Sequence, residues 1–197
     1  MIYSASESST DSDIELISYS DNKPWNTIIQ QPQESCSNSS TRRILLILVG
    51  IPGSGKTCFS KKLESKGWYR VCQDELQTRQ QCENYAIEYL SQNKPTVVDR
   101  CNVTKEQRAT WINIGKQANA VVGCIVFTTP LSICISRVAQ REQHPTLQGN
   151  DPKTESVVFR FAQEFCAPTP EEGIDFCRRI QTEQDECRIL QQLTDGI

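Results

Sequence analysis

The segment Gly50-Ile51-Pro52-Gly53-Ser54-Gly55-Lys56-Thr57 carries the residue types needed to hold a chain of phosphates. Gly50, Gly53 and Gly55 let the backbone fold round a diphosphate and turn its N–H groups inward. Lys56 can reach the β- and γ-phosphates, and the Thr57 hydroxyl can ligate magnesium. Pro52 and Ser54 belong to the same loop and are expected to line the bound nucleotide. An apolar run, Ile44 to Val49, precedes the motif, and a helical pattern follows it. A loop between a strand and a helix N-terminus offers positive potential to an anion, so the spacing points to nucleotide binding.

Nucleotide binding alone does not set the fate of the γ-phosphate, so the polar residues at strand ends must decide it. Asp74 follows a second short strand and Asp99 closes a third. In a doubly wound sheet the carboxyl ends of strands face the ligand crevice. One acid could deprotonate an acceptor hydroxyl and the other could hold magnesium or its water. The structural alternatives are a helix cap at Asp74 and a surface pair between Asp99 and Arg100. Arg137 and Arg141 are four apart, hence on one helical face, where they could close over phosphates or form a solvated basic face. His144, the only histidine, sits before Pro145 at a helix exit and reads as a substrate-contacting or structural loop residue. A guanine-reading element is missing, because Asn93-Lys94-Pro95-Thr96 lacks the acid that would pair with the base.

These residues need a frame, and the hydrophobic pattern supplies one. Short apolar runs alternate with segments of helical period from Arg42 onward, the pattern of an α/β domain with a parallel sheet of about five strands flanked by helices. Strands are expected at 44–49, 68–72, 96–99, 121–127 and about 174–180. Helices are expected at 56–66, about 74–91, from Thr104 with a cap closed by Gln107, and at about 183–193. Inner stripes are expected at Cys82, Tyr85, Ala86 and Tyr89, at Trp111, Ile114, Gly115 and Ala118, at Leu131, Cys134, Ile135 and Val138, and at Val158, Phe161, Ala162 and Phe165.

The chain has 197 residues and a net charge of -3. Residues 1–40 hold eleven serines and six acids against one base, Lys23, so they carry -5 and the remainder +2. Residues 1–41 therefore read as a disordered, acidic, serine-rich tail, and 42–197 as the folded domain. Within the tail, Ile14, Leu16 and Ile17 flanked by acids and serines resemble a SUMO-interacting segment able to add a strand to a partner. A near-neutral domain argues against a broad basic grip on duplex nucleic acid or on a membrane. No apolar run approaches the roughly 20 residues of a membrane span, and the N-terminus has no apolar signal region. An intracellular chain is expected. The ten cysteines are scattered without a CxxC pair, so free thiols are expected and a zinc site is not.

The order of motifs resembles the 5'-hydroxyl polynucleotide kinase family of P-loop phosphotransferases, over Ile44 to about Ile180 and without a phosphatase domain. The resemblance rests on GIPGSGKT at 50–57, QDEL at 73–76, DRCN at 99–102, the helix through Arg137 and Arg141, and FCAPTPEEG at 165–173. It implies a P-loop kinase fold that uses ATP and magnesium, with Asp74 as general base and Arg141 as the leading lid arginine. Asp99 is then expected beside Thr57 at the metal, and Arg79, Asn102 and His144 near the acceptor. The implied activity is phosphorylation of the 5'-hydroxyl of DNA or RNA ends, with DNA repair as setting and, of nucleus or cytoplasm, the nucleus favoured. Alternatives are a small-molecule or nucleoside kinase, or an ATP-binding scaffold with weakened catalysis. This chain departs from the family pattern at Gln73, where arginine is usual, at Cys101, where threonine is usual, and at Gln81, where another arginine is usual although Arg79 could reach the same region.

Overall fold

The computed structural model describes residues 43–141 and 153–195. The tail with Ile14, Leu16 and Ile17, and the loop with His144, lie outside the described residues.

Ile44 to Val49 is a six-residue run without a polar side chain, and it forms strand β1 (Ile44–Val49) at the centre of the sheet. The other strands are β2 (Tyr69–Cys72), β3 (Thr96–Asp99), β4 (Val121–Phe127) and β5 (Phe176–Ile180). All pairings are parallel, in the order β2-β3-β1-β4-β5. Side chains of a strand alternate between faces, so β1 feeds two cores. Leu45, Ile47 and Val49 pack with Cys82, Ala86, Leu90 and Trp111 on one face. Leu46 and Leu48 pack with Phe59, Leu63 and Ile189 on the other. Helices on both faces explain why the central strands read as continuous apolar runs.

The helices are α1 (Lys56–Glu64), α2 (Gln73–Leu76), α3 (Arg79–Ser91), α4 (Lys105–Gln117), α5 (Leu131–Ala139), α6 (Lys153–Gln163) and α7 (Glu183–Thr194). The expected five-strand parallel α/β sheet is present, with β1, β3 and β4 at the expected bounds. The expected helix at 74–91 is in fact two. Gln77 takes a left-handed φ of 63°, and Thr78 opens α3 by accepting a hydrogen bond from the Gln81 N–H at 3.2 Å. A threonine cap outweighs the continuous helical period across this point. The inner stripe of α3 is correspondingly Cys82, Ala86 and Leu90, while Tyr85 lies outside the core. Thr104 and Gln107 close the expected capping box of α4. The helix α1 stops at Glu64, three residues before Gly67, and β5 starts at Phe176, two residues later than expected.

A third cluster matters most for the site. Ile51, Val103, Cys134, Val138 and Val158 are buried together, with Leu131, Phe161 and Phe165 against them. This small core lies between the glycine loop, the segment after β3 and the pair α5–α6. Among the described residues no helix is long and apolar enough to cross a membrane.

Candidate active site

Three adjacent strands, β2, β3 and β1, end side by side, and the chemistry-bearing residues follow their last positions. The loop Gly50–Gly55 leaves β1, Asp99 ends β3, and Asp74 lies two residues past Cys72, which is registered beside Asp99. The sequence separation of these groups is large, yet the parallel register sets them at one edge of the sheet.

The loop is held from below and above. Gly50 donates its N–H to the Cys101 carbonyl at 2.9 Å. Gly53 has φ of 85° and lies so close under α5 that a Cβ there would run into the Cys134 carbonyl. Only glycine supports both the left-handed φ and that approach. Thr129 donates its hydroxyl to the Ser54 carbonyl at 2.9 Å. Lys56 is buried, with Nζ donating to the Ile51 carbonyl at 2.7 Å and to Ser54 Oγ at 3.2 Å. Its ammonium is therefore folded over the loop, where it would meet a phosphate chain held there.

From α5, Arg137 donates Nη1 to the Gly53 carbonyl at 3.4 Å. Arg141 follows one turn later, half-buried just past the helix end. Burial pushes the Cys134 thiol up to about 11, against the pull of the Lys56, Arg137 and Arg141 charges. The charges of Lys56, Arg137 and Arg141 are thus all felt at Cys134 beside the loop, and cations near the loop suit the neutralising of phosphate oxygens.

Asp99 is buried at 5% exposure, so its charge must be balanced. Ser60 Oγ donates to its Oδ2 at 2.9 Å, and Arg70 donates to the same oxygen through Nε at 2.9 Å and Nη2 at 2.8 Å. The other oxygen, Oδ1, accepts from the Thr57 hydroxyl at 3.4 Å. The expected alternative pair with Arg100 is not formed; Arg100 lies beside Cys82 and Arg79, where burial and then the Arg79 charge lower its pKa. Thr57 Oγ1 and Asp99 Oδ1 are hard oxygen donors facing each other at the loop, which fits a magnesium ion. The loop itself, with Lys56 across it, fits a nucleotide polyphosphate.

Arg70 was not singled out by the sequence, and it is the site's chief unexpected member. Burial alone would lower its pKa, but hydrogen bonds to Glu75 and Asp99 outweigh that and the net shift is upward. A lone arginine in a strand of mixed burial gives no local signal; only its partner 29 positions away reveals the role.

Asp74 is exposed in the first turn of α2, whose preceding residue Cys72 takes the cap position. Two expected acceptor residues are placed elsewhere. Asn102 is 2% exposed, donates Nδ2 to the Leu48 carbonyl at 2.9 Å and accepts from Trp111 Nε1 at 3.1 Å. Its amide joins β1 to α4. Arg79 pairs with Glu83 at 2.7 Å and with the Thr110 hydroxyl, on the outer side of α3 and α4. Gln81 closes the Thr78 cap, which accounts for a short polar residue at that position.

A family described as an AAA domain matches residues 76–168, beginning just past Asp74. A protein of Arabidopsis thaliana named transcription factor bHLH140 is 33% identical over 160 residues, covering 75% of this chain and 17% of that protein. The bifunctional polynucleotide phosphatase/kinase of Schizosaccharomyces pombe is 32% identical over 136 residues, covering 68% of this chain and 32% of the yeast protein. The chain thus spans a minor part of the length of these curated relatives. Among solved structures, a fungal RNA kinase superposes with a TM-score of 0.65 at 16% identity, over 81% of this chain and 89% of that one, a likeness of fold. The glycine loop at the end of a central parallel strand, the sheet around it and these likenesses agree: the chain has a P-loop kinase-type fold, and its sequence resembles polynucleotide phosphatase/kinase.

Proposed function

We propose that this domain transfers the γ-phosphoryl group of ATP to an alcohol, and that the alcohol is the 5'-hydroxyl of a DNA or RNA end. The observation that carries the reading is a second, exposed carboxylate, Asp74, two residues past the end of β2, in the row of three adjacent strand ends that also holds the buried Asp99 and the phosphate loop. Binding a nucleotide needs one of these acids; transfer to a hydroxyl uses both. The acceptor oxygen attacks the γ-phosphorus in line, the bond to the β–γ bridging oxygen breaks, and ADP leaves with that electron pair. Asp74 takes the proton from the attacking hydroxyl. Lys56, the loop N–H groups, Arg137 and Arg141 face the charge that develops on the transferring group. Thr57 and Asp99 would hold magnesium, which supplies further neutralisation of the phosphate oxygens when bound.

The nucleic-acid acceptor is supported by the resemblance to polynucleotide phosphatase/kinase, and the repair setting and nuclear location follow only from that resemblance. A small-molecule acceptor is favoured by one observation: the domain is near neutral, with Gln73 and Gln81 where the family uses arginine. Transfer of labelled γ-phosphate from Mg-ATP to DNA and RNA oligonucleotides with 5'-hydroxyl ends, beside nucleosides and sugars, separates the two. The expected result is label on an oligonucleotide, lost in Lys56→Ala, and lost in Asp74→Asn with ATP still bound. Label on a nucleoside or sugar alone overturns the acceptor, and full transfer by Asp74→Asn overturns the base. ATP bound with no label on any acceptor returns the reading to a scaffold.

A further inference from the structure

Arg70 lies in an edge strand, yet its side chain is only 3% exposed. Burying a guanidinium is costly unless its donors are satisfied and its charge is balanced. Here one fork serves two carboxylates. Nε and Nη2 go to Asp99 Oδ2, and Nη1 goes to Glu75 Oε1 at 2.6 Å. Ser60 also donates to Asp99 Oδ2, so that oxygen is held from two directions and the carboxylate cannot rotate freely. Its Oδ1 is thereby kept towards Thr57. The far end of the same guanidinium reaches the residue next to Asp74.

The second contact is unusual for where it is made. Helix α2 has four residues, none of them buried, and it ends at Gln77 with a left-handed φ. Leu76 only leans against the core. With no residue of the turn buried, the Arg70–Glu75 pair is one of the polar contacts that hold it. Glu75 is 60% exposed, and a pair open to water on one side adds little to global stability. Its effect is local: it joins the orientation of Asp99 to the position of α2. Lysine would not substitute, because a single ammonium lacks the planar fork that spans two carboxylates.

We propose that Arg70 is a positioning residue that couples the nucleotide side of the site to the acceptor side, so that Mg-nucleotide held by Thr57 and Asp99 steadies the turn carrying Asp74. The coupling rests on the proposed roles of Asp99 and Asp74 and adds to them a route between the two. A ligand that fixes Asp99 fixes Arg70, and Arg70 then holds Glu75 more of the time.

The test is amide hydrogen exchange over residues 73–77 in the whole chain, with and without Mg-ADP, in wild type, Arg70→Gln and Glu75→Ala. In wild type Mg-ADP slows exchange in this turn by about three- to fivefold, the scale of one partly exposed ion pair. At Mg-ADP concentrations that saturate each protein, both variants lose that increment. A role in fold stability alone would change exchange equally with and without nucleotide, so the nucleotide-dependent part is the discriminating readout. Wild type without slowing, or Glu75→Ala with the full increment, overturns the proposal. Should Arg70→Gln fail to fold, Glu75→Ala at its exposed carboxylate decides alone. The kinase reading is judged apart from this: slowing without transfer to any acceptor refutes the kinase and keeps the coupling, whereas transfer without slowing refutes only Arg70.

Discussion

Replacing Arg108 with methionine removes the guanidinium on which the frame of the site converges. Arg108 is fully buried, and it donates Nε and Nη2 to the two oxygens of Glu172 at 2.8 and 2.7 Å. Its Nη1 reaches the carbonyls of Asn102, Val103 and Cys166. Burial depresses its pKa, but the bonds and charge of Glu172 outweigh this and raise it, so the guanidinium stays charged throughout the working pH range. In Arg108→Met the Glu172 carboxylate stays buried without a counter-charge, which costs about 3–5 kcal/mol. Val103 still accepts the Cys166 N–H at 2.8 Å, but Asn102 and Cys166 lose a donor at their carbonyls, which places the expected loss at the upper end of that range. Urea unfolding should show it at an unchanged m-value, with a fall in Tm of about 10–15 °C. Glu172→Leu should also destabilise, and the double variant Arg108→Met/Glu172→Leu should be more stable than the sum of the two losses by at least about 2 kcal/mol. A single-variant loss under about 1.5 kcal/mol, or additive losses in the double variant, would refute the reasoning that an ion pair holds this junction.

Two further outcomes follow from the site's geometry. Gly53→Ala forces a Cβ into the Cys134 carbonyl at a residue with φ of 85°, so the loop or α5 must shift; nucleotide affinity should fall about tenfold or more, with the far-ultraviolet circular dichroism unchanged. A wild-type Kd would show that the loop adapts without cost. Burial pushes the thiols of Cys134 and Cys177 up to about 11, so at pH 8 only about one in a thousand is thiolate, whereas Cys58 and Cys187 are exposed. Among the described cysteines, a disulfide reagent at pH 8, with the modified sites mapped by mass spectrometry, should label Cys58 and Cys187 first and reach Cys134 only as the chain unfolds. Rapid labelling of Cys134 in the native protein would contradict the packing of α5 on the loop.

Signals carried by a few neighbouring residues were legible in the chain alone. The run Ile44–Val49, the spacing of Gly50 to Thr57, the Thr104–Gln107 cap and the β3 and β4 bounds all depend on interactions within about ten residues. Asp74 and Asp99 were visible because strand ends in a parallel sheet share one edge, so a one-dimensional pattern already implies proximity there. The split between α2 and α3 was missed because helical period continues across Gln77, and only the capping geometry of Thr78 breaks it. Asn102 has site residues as its neighbours in sequence, whereas its hydrogen-bond partners are Leu48 and Trp111, in two other elements. The clamp of Arg70 on Asp99 and Glu75, and that of Arg108 on Glu172, were invisible for the same reason. A charged side chain is placed by whichever counter-charge the fold brings within about 3 Å in a water-poor interior, and that choice belongs to strand register and helix packing rather than to residue spacing.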